Sequence, residues 1–494
     1  MPSYAITTFG CQMNVHDSER MHEVLRGAGY VEVDPAQADV IVLNTCSVRE
    51  KAEQKLLSEV GRLAKQKRLR RELTVVVAGC VAQQEGERLL QRARAVDLVV
   101  GPDNIPELPR LLDELALGSP PLVRTVFDTE APRFLTAAPV AGAAATRPTA
   151  FVTIMKGCDE RCSFCIVPYT RGPERYRPSG EIVAEIAALT AGGVREVTLL
   201  GQTVNSYRDP EGALPHAPGR APDDPDESEF AALLRRIAAE VPALRRLRYT
   251  SPHPRHLTPS LVLAHAELPV LARHVHLPVQ SGSDRLLKRM IRRYTRAEYV
   301  ERAQTLTRAV PGLTLSTDII VGFPGETEED FAATLSLVRE VGFRGLFGFK
   351  YSERPYTPAR KLGDDVPEAV KGERLARLFA LSEELLGAHL ASLVGTSPRV
   401  LLEGIDEAAG QWTGRTERNE IVHVAGAADR ELSGEIVEVT IVRHNKHSLQ
   451  AELAPAARSA GTPRAPSPKP VPMGDTPKPP ARRSLPLATG TGGA

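Results

Sequence analysis

Three short β-branched runs, YAITTF (4–9), VIVLNT (40–45) and TVVVAG (74–79), are bounded by turn residues. Helical patterns over Asp17 to Gly27 and Val48 to Lys67 separate them, and VDLVVG (96–101) follows in the same style. Strand–helix–strand repetition sets consecutive strands parallel with helices on both faces. Residues 1–117 are therefore expected to form a doubly wound α/β domain, followed by an Ala/Pro/Thr-rich linker over 118–143.

From AFVTIMKGC (150–158) the alternation restarts with longer spacing. Strand candidates are FVTIMK, REVTLLG (195–201), RRLRYTS (245–251), HVHLPV (274–279), LTLSTDIIVGFPG (313–325) and GLFGFKYS (345–352), with helical segments between them. About six βα units predict a partial (β/α) barrel over 144–375 with its site at the C-terminal strand ends. A Pro-rich acidic stretch, 209–229, interrupts the repeat and reads as a solvated surface loop. After a helix near 370–393, the runs RVLLEG (399–404), IVHVAG (421–426), GEIVEVTIVR (434–443) and SLQAEL (448–453) predict a small antiparallel β-barrel over 376–454. Residues 455–494 are Pro/Ala/Gly/Ser-rich with six Lys/Arg and one Asp, and are expected to be a disordered tail.

With 62 Lys+Arg against 61 Asp+Glu, overall charge singles out no partner. No apolar run approaches the roughly 18 residues that span a bilayer, and the N-terminus lacks the layout of a secretion signal. A soluble cytoplasmic chain, read as a monomer, is expected; its cysteines then serve metals or catalysis rather than disulfides. There are six. Cys158, Cys162 and Cys165 lie close together in KGCDERCSFC (156–165), whereas Cys11, Cys46 and Cys80 are dispersed.

The tight triplet has spacing C-x3-C-x2-C at the end of the first barrel strand. A structural zinc site asks for four protein ligands, and no fourth Cys or His lies near in sequence. Three thiolates on one loop suit a [4Fe–4S] cluster with one iron lacking a protein ligand. Each dispersed cysteine directly follows a strand run, in TTFGCQMN, VLNTCSVRE and VVAGCVAQQ. Residues just past the carboxyl ends of neighbouring strands converge on one sheet edge, and adjacent strands are only about 4.8 Å apart. A second three-ligand site is one reading of that pattern, and three buried structural thiols are the other.

The cysteine loop, with Phe164 before its last thiol, resembles the radical S-adenosylmethionine (SAM) superfamily. TTFGCQMNVHDSER, VLNTCSVREKAEQK and VAGCVAQQEG resemble the N-terminal domain of its methylthiotransferase family, in the tRNA-modifying branch. GRTERNEIVHV (414–424) and VRHNKHSL (442–449) resemble the RNA-binding TRAM module. The resemblance covers residues 3–453 and leaves out the acidic loop and the tail.

This resemblance implies two [4Fe–4S] clusters and two SAM molecules per turnover. The Cys158/Cys162/Cys165 cluster would generate a 5′-deoxyadenosyl radical, and the Cys11/Cys46/Cys80 cluster would carry the sulfur. The product would be the 2-methylthio derivative of N6-isopentenyladenosine beside a tRNA anticodon. The electron donor and the sulfur source stay unidentified. Phe164, Gln202, Asn205, Gln280, Ser281, Ser316 and Asp318, at or near the predicted rim, are candidates for holding SAM. Arg415, Arg418, Asn419 and Arg443 are candidates for RNA contact, together with the basic runs 65–71, 245–249 and 288–296, and Trp412 for base stacking. His253, His256, His274 and His276 show no ligand spacing, so structural roles are expected. Tyr356, in YSERPYTPAR, stands where the family leads one to expect glycine. A tyrosine resists positive φ, so the turn there is expected to differ. A threonylcarbamoyladenosine branch, a ribosomal-protein branch and a non-enzymatic iron–sulfur RNA sensor are the alternatives. The wording of the cysteine segments disfavours the first two, and the SAM rim disfavours the third.

Overall fold

VIVLNT is buried at all six positions, as befits an internal strand of a parallel sheet covered on both faces. In the computed structural model the first unit comprises β1 (Ser3–Phe9), α1 (Gln12–Gly27), β2 (Val31–Glu32), β3 (Val40–Thr45), α2 (Glu50–Lys67) and β4 (Thr74–Gly79). It continues through α3 (Cys80–Glu85), α4 (Glu87–Arg92), β5 (Leu98–Val100), α5 (Leu108–Ala116) and β6 (Leu122–Arg124). The strands form one all-parallel sheet in the order β2-β1-β3-β4-β5-β6. Period-two alternation divides its core. Ile41, Leu43, Val75 and Val77 pack with Leu56, Val60 and Leu63 of α2, while Val40, Val42 and Val76 pack with Met21 and Leu25 of α1. β6 corrects the linker reading, because Leu122–Arg124 lies within 118–143 yet extends the sheet beyond β5.

The structure describes residues 1–454 and 462–463, except 48–49, 131, 137–146, 215–225 and 427.

The second unit contains β7 (Thr149–Thr153), β8 (Met155–Lys156), α6 (Val167–Arg171), β9 (Arg175–Tyr176), α7 (Ser179–Ala191), β10 (Glu196–Leu200), α8 (Glu229–Glu240), β11 (Arg246–Tyr249) and α9 (Pro259–Glu267). It goes on with β12 (His274–His276), α10 (Asp284–Arg289), α11 (Arg296–Ala309), β13 (Thr314–Val321), α12 (Glu328–Val341) and β14 (Gly345–Lys350). Six parallel strands form two three-stranded halves, β11-β10-β7 and β12-β13-β14, linked by the bridge Leu247–Leu271. This is the partial barrel the sequence leads one to expect. The ends of the acidic stretch are tied down: Asp209 accepts from Ser179 N and Oγ at 3.2 and 2.6 Å, and its own N–H donates to Glu229 at 2.6 Å.

α13 (Glu368–Ser392) packs on β14 and runs on to the third unit, so one helix crosses the expected boundary at 375/376. That unit is a closed barrel of β15 (Arg399–Asp406), β16 (Gln411–Thr416), β17 (Ile421–Ala425), β19 (Ile436–His444) and β20 (Leu449–Leu453), with β18 (Arg430–Glu431) outside it. Four seams are antiparallel, in keeping with the small antiparallel barrel expected, and β17 and β20 run parallel. The cause is the crossing strand β19, whose tight turn over 445–448 sends β20 back in the direction of β17. Trp412 is 2% exposed in this barrel's core, which rules out the stacking role considered for it. Of the segment expected to be a disordered tail, only β21 (Thr462–Pro463) is described, paired with β18; the rest lies outside the described residues.

Candidate functional site

The parallel register aligns Phe9 with Thr45 and Thr45 with Gly79. Cys46 and Cys80 immediately follow the last two, and Cys11 follows Phe9 by two positions. All three thiols thus leave adjacent strands at one edge, as strand-end geometry requires. Cys11 is the N-cap of α1, and Cys80 opens α3. Behind them Asn14 and Asn44 interlock, with Asn14 Nδ2 on Asn44 Oδ1 at 3.1 Å and Asn44 Nδ2 on the Asn14 carbonyl at 2.8 Å. A hydrogen bond from Cys46 holds the Cys11 thiol down to about 6 against the upward pull of burial, favouring the thiolate that binds metal. Burial pushes the Cys80 thiol up, and Arg171 draws it back. That guanidinium comes from the second unit: Arg171 Nε lies 3.3 Å from Cys80 Sγ, and Nη2 lies 2.5 Å from Asp17 on α1.

The second triplet follows β8. Gly157 has φ +80°, and a Cβ there would fall 1.8 Å from the Pro173 carbonyl oxygen, so no other residue fits. The Gly157 N–H donates to Gln202 Oε1. Cys158 Sγ and Thr203 Oγ1 are 2.9 Å apart, and Arg292 Nη1 lies 3.3 Å from Cys162 Sγ. Ser163 fastens the loop to α10, its N–H on the Met290 carbonyl at 3.0 Å and its Oγ on the Arg289 carbonyl at 2.8 Å. Burial pushes the Cys158 thiol up to about 11 and raises Cys165 further.

The donor sets fit iron–sulfur clusters. Tetrahedral zinc, at about 2.3 Å from each sulfur, holds its ligand sulfurs within ~4 Å of one another. Among the described residues, the one trio of His, Cys, Asp or Glu ligand atoms lying within 4.8 Å of each other is Glu160, His253 and His256. Both cysteine triplets are therefore spread wider than a single ion needs. Within that trio His256 Nε2 meets Glu160 Oε1 at 3.0 Å, and His253 Nδ1 accepts from the Arg255 N–H at 3.3 Å. Burial, with Arg292 close by, drives His253 far down toward the neutral form. His256 ties to the cysteine loop through Glu160, while His253 Nε2 and Glu160 Oε2 are buried without a protein partner.

The residues named for SAM separate into groups. Gln202 uses its carbonyl on Gly157, while its buried Nε2 has no protein partner, the kind of donor a cofactor carboxylate would occupy. Asn205 is clasped to the His253 backbone by bonds of 2.9 and 2.7 Å; with Glu160 and Arg293 it lines a cavity of about 750 Å³ beside the loop. Gln280 takes φ +76° and bridges to Ile319. Ser281, fully buried, receives the Ser283 N–H and contacts Thr334. Ser316 Oγ lies 2.9 Å from both His274 Nε2 and His276 Nδ1, and His276 Nε2 is 3.4 Å from Asp318. Phe164 packs with Leu286, Met290, Phe323 and Tyr351.

The residues named for RNA are placed elsewhere. The Arg415 carbonyl accepts from Arg246, the Arg418 carbonyl accepts from Thr314, and Asn419 Oδ1 accepts from Arg415, so all three lie at the seam between the third unit and the barrel. The run 245–249 is part of that seam. Arg246 and Arg248 pair with Glu196 at 3.0 and 2.9 Å, which corrects its reading as an RNA-facing patch. In the run 288–296, Arg292 is buried on Cys162 and Arg296 pairs with Glu340; in 65–71, Lys67 pairs with Asp97 and Arg70 with Asp39. Arg443, on β19, is exposed. Tyr356 does adopt φ +67°, so the turn keeps the left-handed conformation that its side chain was expected to refuse. Contacts with Arg88 and Tyr169 offset a strain of order 1–3 kcal/mol. Sequence reasoning missed Arg171, Arg292, Thr203 and Asp17. Arg171 closes α6, six residues after Cys165, and carried no signal of its partner in the sequence.

A partial barrel whose first strand leads into three clustered cysteines, beside a sheet edge that carries three more, has the build of a radical SAM enzyme with a second cysteine triplet. The model of the Radical SAM superfamily matches residues 152–338, that of "Uncharacterized protein family UPF0004" residues 3–101, and that of the TRAM domain residues 391–454. The tRNA-2-methylthio-N(6)-dimethylallyladenosine synthase of Sorangium cellulosum (strain So ce56) is 72% identical over 505 residues, 100% of each chain. That of Geobacter metallireducens is 48% identical over 450 residues, 91% of this chain and 98% of its own. Among solved structures, the radical SAM methyltransferase TsrM from Kitasatospora setae has a TM-score of 0.48 at 15% identity, covering 73% of this chain and 77% of that one. The chain belongs to the tRNA-2-methylthio-N(6)-dimethylallyladenosine synthase family.

Proposed function

We propose that this chain is the tRNA methylthiotransferase that converts N6-isopentenyladenosine beside the anticodon to its 2-methylthio derivative, acting as a cytoplasmic monomer on the anticodon stem-loop. One observation carries the reading: both thiolate triplets border one short helix. α6 begins two residues after Cys165, and its Arg171 reaches Cys80. A substrate carbon held beside α6 would lie next to both triplets.

When bound, two [4Fe–4S] clusters and SAM supply the one-electron, sulfur and methyl chemistry. Cys158, Cys162 and Cys165 would hold one cluster, beside the SAM site, and Cys11, Cys46 and Cys80 would hold the other. Gln202 fixes the first loop through Gly157 and offers its Nε2 to SAM. Asn205 and Ser281 act by positioning, since their polar atoms are engaged by the protein. Gln280, Ser316, Asp318 and the Phe164 ring shape the rest of the SAM site. Arg415, Arg418 and Asn419 shape the TRAM surface from its seam, and exposed Arg443 meets RNA phosphate. An electron donor and a sulfur source complete the cycle.

The test is a nucleoside digest of tRNA from a strain lacking this gene. The 2-methylthio nucleoside should vanish, isopentenyladenosine should accumulate, and the intact chain should restore the product. An unaltered nucleoside profile would overturn the function.

A further inference from the structure

Tyr356 is a tyrosine held in left-handed backbone, and such strain persists only where surrounding contacts enforce it. Its hydroxyl accepts from Arg88 Nη2, and its ring centroid lies 5.8 Å from that of Tyr169 at 34°. Of the ten tyrosines in the chain, these two are the exposed ones, at 41% and 53%, and they touch each other. The two half-exposed rings touch at a tilt, and the Arg88 guanidinium lies 5.7 Å from the centroid of the Tyr356 ring, which leaves Tyr169 and the rest of Tyr356 open among the described residues.

The surface has a definite address. Tyr169 sits on α6 between Cys165 and Arg171, the residue on Cys80. Arg88 sits on α4 and also donates to the Gln84 carbonyl at 3.2 Å, on the helix that Cys80 opens. Just past Tyr356, the Ala359 N–H donates to the carbonyl of Ser163, which lies between Cys162 and Cys165. The helix that Cys80 opens and the loop that carries Cys162 and Cys165 are therefore both bonded to residues next to the two rings.

We infer that Tyr169 and Tyr356 form a stacking surface for a nucleobase of the substrate RNA, the neighbour of the adenosine delivered between the two cysteine triplets. The inference rests on the tRNA reading above. Drawing one base out of a loop strips its neighbour of a stacking partner. An aromatic ring beside that neighbour replaces the partner for any base, since every base has a π-face.

Anisotropy titrations of the anaerobically reconstituted full chain test this. The probes are an isopentenylated anticodon stem-loop and the same RNA with an abasic site at each neighbour of the modified adenosine in turn. Tyr356→Gly suits φ +67° better than tyrosine, so the fold is not at risk. It should weaken binding of the intact RNA roughly 5- to 150-fold, the range for one base–aromatic stack, whereas Tyr356→Phe should retain wild-type affinity. One abasic site should weaken wild type similarly and cost Tyr356→Gly nothing further. Equal affinity of wild type and Tyr356→Gly, or an undiminished penalty at both abasic sites in that variant, would overturn the stacking surface and leave the methylthiotransferase reading standing. A wild type that binds the isopentenylated stem-loop no better than an unrelated hairpin would overturn both.

Discussion

Each triplet has one guanidinium donating to a cysteine sulfur: Arg171 to Cys80 and Arg292 to Cys162, both at 3.3 Å and both buried. Positive charge and N–H donation to sulfur stabilise the reduced, more negative cluster and so raise its potential. Removing Arg171 alone would strand Asp17, a loss of about 3–5 kcal/mol for a broken buried pair, so the useful variant is Asp17→Asn with Arg171→Gln. Its Cys11/Cys46/Cys80 cluster should titrate at a lower potential with iron content unchanged; Arg292→Gln should lower only the other cluster. Unmoved potentials in both would contradict this assignment. Gly157→Ala should empty the Cys158/Cys162/Cys165 site by driving its loop off the Pro173 carbonyl, and iron analysis should find the other cluster retained. At this scale the six cysteines were legible because strand ends and tight spacing mark them. Arg171 and Arg292 were not, since they reach sulfurs 91 and 130 residues away and no local pattern encodes such a contact.

At the scale of elements, the strands that carry the site were visible as β-branched runs, because internal parallel strands are apolar on both faces. β6 escaped notice because three residues, Leu122–Arg124, carry too little period to stand out from a Pro-rich stretch. α1 begins at Gln12 rather than near Asp17, because Cys11 is itself the cap. The parallel β17–β20 seam depends on how β19 crosses, which alternation along a strand does not record. Helix caps offer a local test. Thr327 and Asp330 form a reciprocal capping box on α12, and Asp330 also accepts from Ser283 at 2.5 Å. Thr327→Ala should lower stability by about 1 kcal/mol, read as a lower denaturant midpoint at unchanged slope. A midpoint equal to wild type would show that the cap adds nothing.

For the whole molecule, the third unit docks at the N-terminal ends of the barrel strands, where Arg246 opens β11 and Thr314 opens β13. The cysteine loop lies toward the opposite ends, so RNA that touches both must wrap the barrel's flank. Glu196, 6% exposed, anchors the seam by pairing with Arg246 and Arg248. Glu196→Ala leaves two buried cations unpaired, at a loss of about 3–5 kcal/mol. It should expose the segment after α13 to limited proteolysis while both clusters stay loaded, and protease resistance equal to wild type would contradict that role. The division of labour between the two triplets is the central claim. Its most direct measurement is mass spectrometry of reactions on an isopentenylated stem-loop, comparing wild type with the variant carrying Cys11→Ala, Cys46→Ala and Cys80→Ala. Wild type should yield the 2-methylthio nucleoside. The triple variant should yield none while still cleaving SAM to 5′-deoxyadenosine, and methylthiolated product from that variant would contradict the account.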